Sequence, residues 1–460
     1  MIIRMEELPE EITERLIVKM IERDQSEFKP RDDKLRRYFD GEHDIMRREF
    51  EDKTKPNNKI VTNFCKYITN TSVGYFIGEP IRYSSLNQEY MERLQEIFDE
   101  NNEQEVNAKL AKYASIYARA AEILYAEEEN GRIKIRFDAL DPETQRVIFV
   151  YDTKVRPDLL MAVRYFECED ILTDKKTTHA FVYTRTHIYH FSGDQERLEL
   201  QEEPREHFFG EVPLNLYFNK GEDGKGDFED IITLNDAYNL LQSDDINESN
   251  YSNDAYLVIS GLIAEDEDII KMKERRVIEL TGDGKSSAEW LIKEINDTWK
   301  ENLKKRIKQD IHLVSGTPDM SDERFAGNIS GVAIEYKLTP FENNRAAKER
   351  SFKRGLQRRI RLITNLLNRQ GNNYDPNEIE ISFSKNLPTD EEKIVNQVTR
   401  LLGTRLVSRD TLRSLIPWIE DAQLERQKIE AEEEVYTIDE ALVETERTER
   451  DEENEIRQQD

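Results

Sequence analysis

Apolar residues at Leu16, Met20 and Ile21 recur at helical spacing within an otherwise charged opening stretch. A break is expected at Lys29-Pro30-Arg31, followed by a second helical segment over 35–50. Residues 59–78 place Val61, Phe64, Cys65, Ile68 and Phe76 close to one helical face until Gly78 and Pro80 stop the run, which predicts a buried helix. Further helices are expected over 90–98 and 106–125. The period then changes from 3.6 to 2. Ile133, Ile135 and Phe137 alternate with charges, and 147–151, 159–166, 179–191 and 198–200 read as strands of an antiparallel meander. His187 and His190 stand three apart in one strand, so they point to opposite faces and do not chelate one metal together.

Residues 221–227 read as a flexible joint. After it, Phe228, Ile231, Leu234, Tyr238 and Leu241 lie at core-like helical spacing, but 243–254 loses the stripe although no Gly or Pro interrupts it. That half-helix offers a monomer core almost nothing, and it either frays or is supported by neighbouring copies. Short strands are expected at 256–259 and 277–280, then a turn at 282–287 and a helix over 288–313. In that helix Ile295, Trp299, Leu303, Ile307 and Ile311 recur every fourth residue. Each step of four advances about 400°, so the row winds around the helix by about 40° per step. Such a row suits contact with more than one neighbour; a surface helix packed on its own domain is the plainer alternative.

Residues 314–331 read as a mobile loop, and a loop of that length is usually functional or disordered. A long helix over 332–368, kinked at Pro340, carries Phe352, Leu356, Ile360, Ile363 and Leu367 on one face. Around it stand Arg345, Lys348, Arg350, Lys353, Arg354, Arg358 and Arg359, expected to form a solvated or subunit-bridging face. A strand at 378–383 and a helical unit at 390–427 follow, the latter with Leu401, Leu402, Leu412, Leu415, Ile416 and Trp418 as its core. The fold class is therefore α+β.

Composition alters this picture in two ways. The 460 residues hold 67 Lys+Arg against 96 Asp+Glu, a formal net charge of −29, and the end of the chain reads as an acidic, disordered tail. Such a balance argues against a protein that grips nucleic acid by a globally basic surface, but not against one that lets DNA slide. No apolar run is long enough to span a membrane and the first residues lack a signal-peptide pattern, so neither membrane insertion nor secretion is expected.

Candidate chemistry is thin. Cys65 and Cys168 are the only cysteines and have no partner at metal-ligand spacing. Gly284-Lys285-Ser286 imitates the end of a phosphate-binding loop, but Glu279 stands where its first Gly belongs. Glu378 and Glu380 would share one side of a strand and could hold a divalent metal, without a helping Lys or Asp. No nucleophile elbow, zinc-protease helix or Cys-His pair occurs. Neither a catalytic residue, a metal site nor a cofactor is expected.

The run 57–81, Asn-Asn-Lys-Ile-Val-Thr-Asn-Phe-Cys-Lys-Tyr-Ile-Thr-Asn-Thr-Ser-Val-Gly-Tyr-Phe-Ile-Gly-Glu-Pro-Ile, resembles the N-terminal signature of tailed-bacteriophage portal (head-to-tail connector) proteins of the siphophage type. So do 226–247, Gly-Asp-Phe-Glu-Asp-Ile-Ile-Thr-Leu-Asn-Asp-Ala-Tyr-Asn-Leu-Leu-Gln-Ser-Asp-Asp-Ile-Asn, the Ala-Tyr-Leu-Val at 255–258, and Gly-Asn-Ile-Ser-Gly-Val-Ala at 327–333. The resemblance covers roughly residues 30 to 430 in order.

It implies a portal-type subunit with a mixed α/β wing (1–227 and 332–388) and a two-helix stem (228–253 and 298–313). A small α/β clip would span 254–297, a tunnel loop 314–331, a helical crown 389–430, and an acidic tail 431–460. It implies a homo-oligomeric ring of about twelve subunits at the capsid vertex of the virion, assembled in the host cytoplasm. Its partners would be double-stranded DNA in the channel, the terminase large subunit, a head-completion or adaptor protein, and major capsid and scaffold proteins. Under it, Asp319, Met320, Asp322, Glu323, Arg324 and Phe325 are tunnel-loop candidates for meeting DNA. Lys300, Lys304, Lys305 and Lys308, with Arg306, either face the channel or pair with acids of the adjacent stem, and Ile295, Trp299, Leu303, Ile307 and Ile311 would form the subunit interface. An acidic channel repels phosphate, so DNA passes without adhering. The alternatives are a metal-dependent nuclease and a capsid-associated scaffold without a channel.

Overall fold

The computed structural model describes residues 1–53, 55–194, 197–221, 224–252, 256–260, 287–291, 297–321, 331–384, 391–404, 406–416, 419, 422 and 425–432. At 251–252, 256–260, 287–291, 297, 331–335 and 391–393 it describes the backbone alone. The chain divides into two compact units, Met1–Asn386 and Leu387–Asp460, and its mixture of helices with mainly antiparallel strands is α+β.

In the first unit the period-2 segments form a sheet ordered β1 (Ile2–Arg4), β5 (Arg146–Tyr151), β6 (Leu159–Asp170), β7 (Lys175–Tyr183), β8 (His187–Gly193) and β10 (Arg205–Glu206), with β9 (Leu198–Leu200) also on β8. The meander β5 to β8 is antiparallel as expected, and β1 joins β5 in parallel. The single run expected over 179–191 is instead the hairpin of β7 and β8. One face packs on helix α1 (Glu14–Arg23) through Ile17, Met20 and Ile21.

No break occurs at Pro30. A π-helical turn, Asp24–Phe28, joins α1 to α2 (Lys29–Asp40), and Pro30 lies in the first turn of α2, where a missing N–H costs no hydrogen bond. The buried helix is α3 (Phe64–Ile77), shorter than its apolar run because 57–62 is extended. Helix α4 (Gln88–Glu100) is as expected. The helix expected over 106–125 ends early: α5 is Glu103–Tyr117, Ala118 turns left-handed (φ 73°), and β3 (Arg119–Glu129) begins at once. From 114 to 124 every residue but half-buried Arg119 is buried, so periodicity alone does not separate buried helix from central strand there. β3 pairs with β4 (Arg132–Leu140) and β11 (Leu214–Phe218).

A second correction concerns 287–291. These residues form a strand, β13 (Ser287–Leu291), antiparallel to β12 (Tyr256–Ser260), and the following helix starts only at Asp297. The strand expected at 277–280 lies outside the described residues. The strand expected at 378–383 is β14 (Glu380–Ser382), on β2 (Arg82–Ser84). Glu378 sits in a 3-10 turn before it, so Glu378 and Glu380 are not neighbours on one strand face.

The long helix α8 (Gly331–Arg369) buries Phe352, Leu356, Ile360, Ile363 and Leu367 against α4, α5 and the β3–β4–β11 sheet. Of its basic residues Arg350 and Arg354 are exposed as expected, but Arg345, Lys348 and Arg359 are buried. Arg359 is fully buried: its Nη1 lies 2.9 Å from Glu103 and its Nη2 2.6 Å from Glu122, and the guanidinium stacks 4.6 Å from the Phe137 ring centroid. Tyr217 and Asn215 donate to the far oxygen of Glu122, and Asn107 and Tyr83 donate to Glu103. The Tyr217 ring lies flat over Gly355, where a Cβ would stand 2.3 Å from it, so only glycine admits the ring there. Lys348 is buried on Asp227 (2.5 Å). Burial alone would raise the Asp227 pKa, yet Lys348, Lys220 and the Ser115 hydroxyl lower it and keep the carboxylate charged. Asp227 is thus an anchor where the sequence suggests a flexible joint. Arg358 pairs with Glu211 at 2.6 Å, and Lys353 donates to the Ile381 carbonyl.

In the second unit the helical segment expected over 390–427 begins as α9 (Glu391–Thr404) and α10 (Arg409–Ser414), the latter capped by the Ser408 hydroxyl. Of the expected core, Leu412 is buried while Leu402 and Leu415 are exposed. Trp418 and 433–460 lie outside the described residues.

Removing one member of a buried ion cluster leaves the others uncompensated, a loss of about 3–5 kcal/mol. Arg359→Met is expected to lower unfolding free energy by about that amount in urea titrations followed by circular dichroism, whereas Arg350→Met, at an exposed position of the same helix, changes it by less than about 1 kcal/mol.

Candidate functional site

Two helices carry most of the residues singled out by sequence: α6 (Ile232–Ser252) and α7 (Asp297–Ser315). Their roots share a core in which Phe228, Ile231, Ile232 and Ile311 meet Leu35, Tyr38, Phe64 and Ile68. From that root the apolar row of α7 winds outward. Ile311 is buried, Ile307 and Leu303 are half-buried, and Trp299 is 60% exposed; Ile295 lies outside the described residues. On α6, Leu240 (44%) and Ile246 (43%) are exposed too. The helix pair therefore leaves its own core and carries apolar side chains into solvent.

The polar half of α6 is not idle, contrary to the sequence reading. Asn235, Asn239, Ser243 and Asn247 recur every four residues, about 6.0 Å along a helix axis, while alternate amides of an extended chain recur every ~6.6 Å. That near-match lets the helix serve as a ladder for the extended segment 57–62. Asn239 Oδ1 accepts from the Thr62 amide (2.8 Å), the Ser243 hydroxyl from Ile60 (2.9 Å), and Asn247 Oδ1 from Asn58 (2.7 Å). Asn235 Nδ2 donates to the Thr62 carbonyl (2.9 Å). Asn239 Nδ2 donates to Nδ1 of the buried His43, whose Nε2–H donates to the Tyr38 carbonyl, so His43 is held neutral. Sequence reasoning missed this ladder. Its signal was the four-residue spacing of Asn and Ser beside an Asn-Asn-Lys-Ile-Val-Thr segment.

The expected channel lysines are mostly committed within the chain. Lys300 pairs with Asp245 (3.1 Å) and Glu248, Lys304 with Asp245 (2.8 Å) and Glu301, and Lys308 with Asp319 (2.8 Å). Lys305 and Arg306 are exposed and make no ion pair among the described residues.

Of the loop candidates, Asp319 and Met320 are described; Asp322, Glu323, Arg324 and Phe325 are not. The loop opens later than expected, because α7 runs to Ser315 and ends at left-handed Gly316 (φ 65°). Residues 317–321 then lie against α3: the Tyr67 hydroxyl donates to the Pro318 carbonyl (3.1 Å) and accepts from the Met320 amide (3.3 Å). Partial burial would raise the Asp319 pKa, but bonds from Lys308 and Ser321 bring it down to about 2. Among the described residues no three His, Cys, Asp or Glu side chains converge on a metal position, and no helix is long and apolar enough to cross a membrane.

The class of structure is an α+β body bearing a helix pair that carries exposed apolar side chains away from its own core. The sequence profile of the phage portal protein family, SPP1 Gp6-like, matches residues 18–437, so the chain belongs to that family. It is 23% identical over 426 residues to the portal protein of Bacillus phage SPP1, covering 86% of this chain and 82% of the relative. Membership implies a structural role at the capsid vertex.

Burial lowers the His43 pKa. The unfolded chain takes up a proton near pH 6.5 and the folded chain only at lower pH, so stability contributed by neutral His43 is complete above that pH and falls as pH drops through the window below it. The loss of urea midpoint between pH 7 and pH 5 is expected to be smaller in His43→Asn than in the parent chain. Asn239→Ala, which strands the Thr62 amide, should cost roughly 1–3 kcal/mol at pH 7.

Proposed function

We propose that twelve or so copies close into a ring at the capsid vertex, a conduit for DNA entering and leaving the head. The same ring docks the terminase large subunit and later a head-completion or adaptor protein, with capsid and scaffold proteins meeting its rim. In this reading 1–227 and 332–388 form the wing, 228–253 and 298–313 the stem, 254–297 the clip, 314–331 the tunnel loop and 389–430 the crown. The ring is a conduit and platform that performs no bond chemistry.

The observation that carries the reading, beside family membership, is the outward row on α7 that ends at exposed Trp299. A ring of heterologous contacts gives each subunit two different faces to bury, and Trp299, Leu240 and Ile246 supply apolar surface for them. Ile295, Leu303, Ile307 and Ile311 then grade from interface to core. With Lys300, Lys304 and Lys308 neutralised by their own acids, Lys305 and Arg306 are, among the described residues, the stem cations available to meet passing phosphate. Localised contact of this kind keeps adhesion weak and strongly salt-dependent.

Native mass spectrometry and negative-stain microscopy of the purified chain test this reading. A closed ring of about twelve subunits with a central hole is expected, and Trp299→Asp should shift it toward monomers with unchanged circular dichroism. Open or irregular assemblies with no hole would overturn it.

A further inference from the structure

The first described part of the loop after α7 is held by a side chain whose second ring nitrogen has no partner. His312 Nδ1 lies 3.0 Å from the Thr317 carbonyl, which can only accept, so Nδ1 carries the proton. In the neutral ring Nε2 is then a bare acceptor. It is buried, makes no hydrogen bond among the described residues, and faces Asp319 Oδ2, another acceptor, at 3.8 Å. The rings of Phe64 and Tyr67 stand edge-on to the imidazole at 6.0 and 5.9 Å and confine it. Among the described residues the titratable groups against it are Asp319 of the loop, Lys308 of its own helix, which pairs with Asp319, and Tyr67 of α3, which grips Pro318 and Met320. From α8, neutral Asn344 donates to the Ser315 carbonyl at the same turn.

We propose that His312 is a proton-operated latch on residues 316–321. A proton added at Nε2 turns two opposed acceptors into a charge-assisted N–H···O bond to Asp319, closing the 3.8 Å gap without disturbing the Nδ1 bond to Thr317. The loop root then has grips on α7 through both Thr317 and Asp319, besides the grip of Tyr67 from α3. In the neutral ring Asp319 is held by Lys308 and Ser321 alone, and the root opens more often. The latch belongs to the subunit whatever it assembles into; its consequence, a pH-dependent starting position for the loop that lines the bore, rests on the portal reading.

The test is hydrogen–deuterium exchange of the full chain at pH 5.5 and pH 8.0, corrected for intrinsic exchange, read on peptides covering 313–321. Protection of the Gly316, Thr317, Asp319, Met320 and Ser321 amides should be roughly tenfold greater at pH 5.5. Asp319→Asn, which keeps the Nδ1 bond and the Tyr67 grip, should abolish the difference, as should His312→Phe, which keeps the edge-on packing. Equal protection at both pH values in the parent chain, or a difference that persists in Asp319→Asn, overturns the latch. Particle mass measured on the same samples reports separately on ring formation.

Discussion

Burying a guanidinium between two carboxylates sets the terms for the rest of the subunit. Arg359 has no access to water, so Glu103 on α5 and Glu122 on β3 must both reach it; Tyr217 and Asn215 donate to the far oxygen of Glu122, and Tyr83 and Asn107 to the same Glu103 oxygen that Arg359 meets. The desolvation of three charges is only partly offset, since Glu103 Oε2 is buried without a hydrogen-bond partner among the described residues and burial raises the Glu103 pKa. The register of α8 against the small sheet follows, since a one-residue slip rotates Arg359 by about 100° away from both acids. Gly355, one turn earlier, is fixed by the same demand because it admits the Tyr217 ring. With α8 locked, Lys348 two further turns back meets Asp227, and the start of α6 is pinned in turn.

The sequence was most legible where one face of an element is apolar and the other is not. The stripe of α1, the apolar face of α8 and the alternation through the meander all appear where periodicity puts them. It was misleading where both faces are buried: 114–124 carries almost no contrast, and a left-handed Ala118 divides it. Charge was misread for a related reason. Lys348 and Arg359 look like solvent residues on a helix, and only their distant partners, Asp227 for the first and Glu103 and Glu122 for the second, make them interior ones. The candidate site was half legible. The row from Trp299 to Ile311 grades from surface to core, but the amide ladder, Tyr67 and His312 join segments about 170 to 250 positions apart, which local spacing does not encode.

Acidity also has a finer grain than the net charge conveys. Asp245, Glu248 and Glu301 are spent on Lys300 and Lys304, and Asp319 on Lys308, so the helix pair presents internally compensated charge along most of its described length. Compensation within a subunit lets each copy exist before assembly without a row of opposed lysines. In the proposed ring, contacts between copies would then rest on shape and apolar burial more than on ion pairing.

The ladder between α6 and the extended segment works as a vernier. Two rulers with slightly different graduations run side by side, and the mismatch grows by about 0.6 Å at each rung. The fit is good near Asn239 and Thr62, and it is still good at Asn247 and Asn58. The next graduation on the extended side is Pro56, which has no amide hydrogen to offer. The grip is thus cut to a fixed length of about 18 Å along the helix from Asn235 to Asn247, and the turn of α6 beyond it takes its direction from whatever stands beside it.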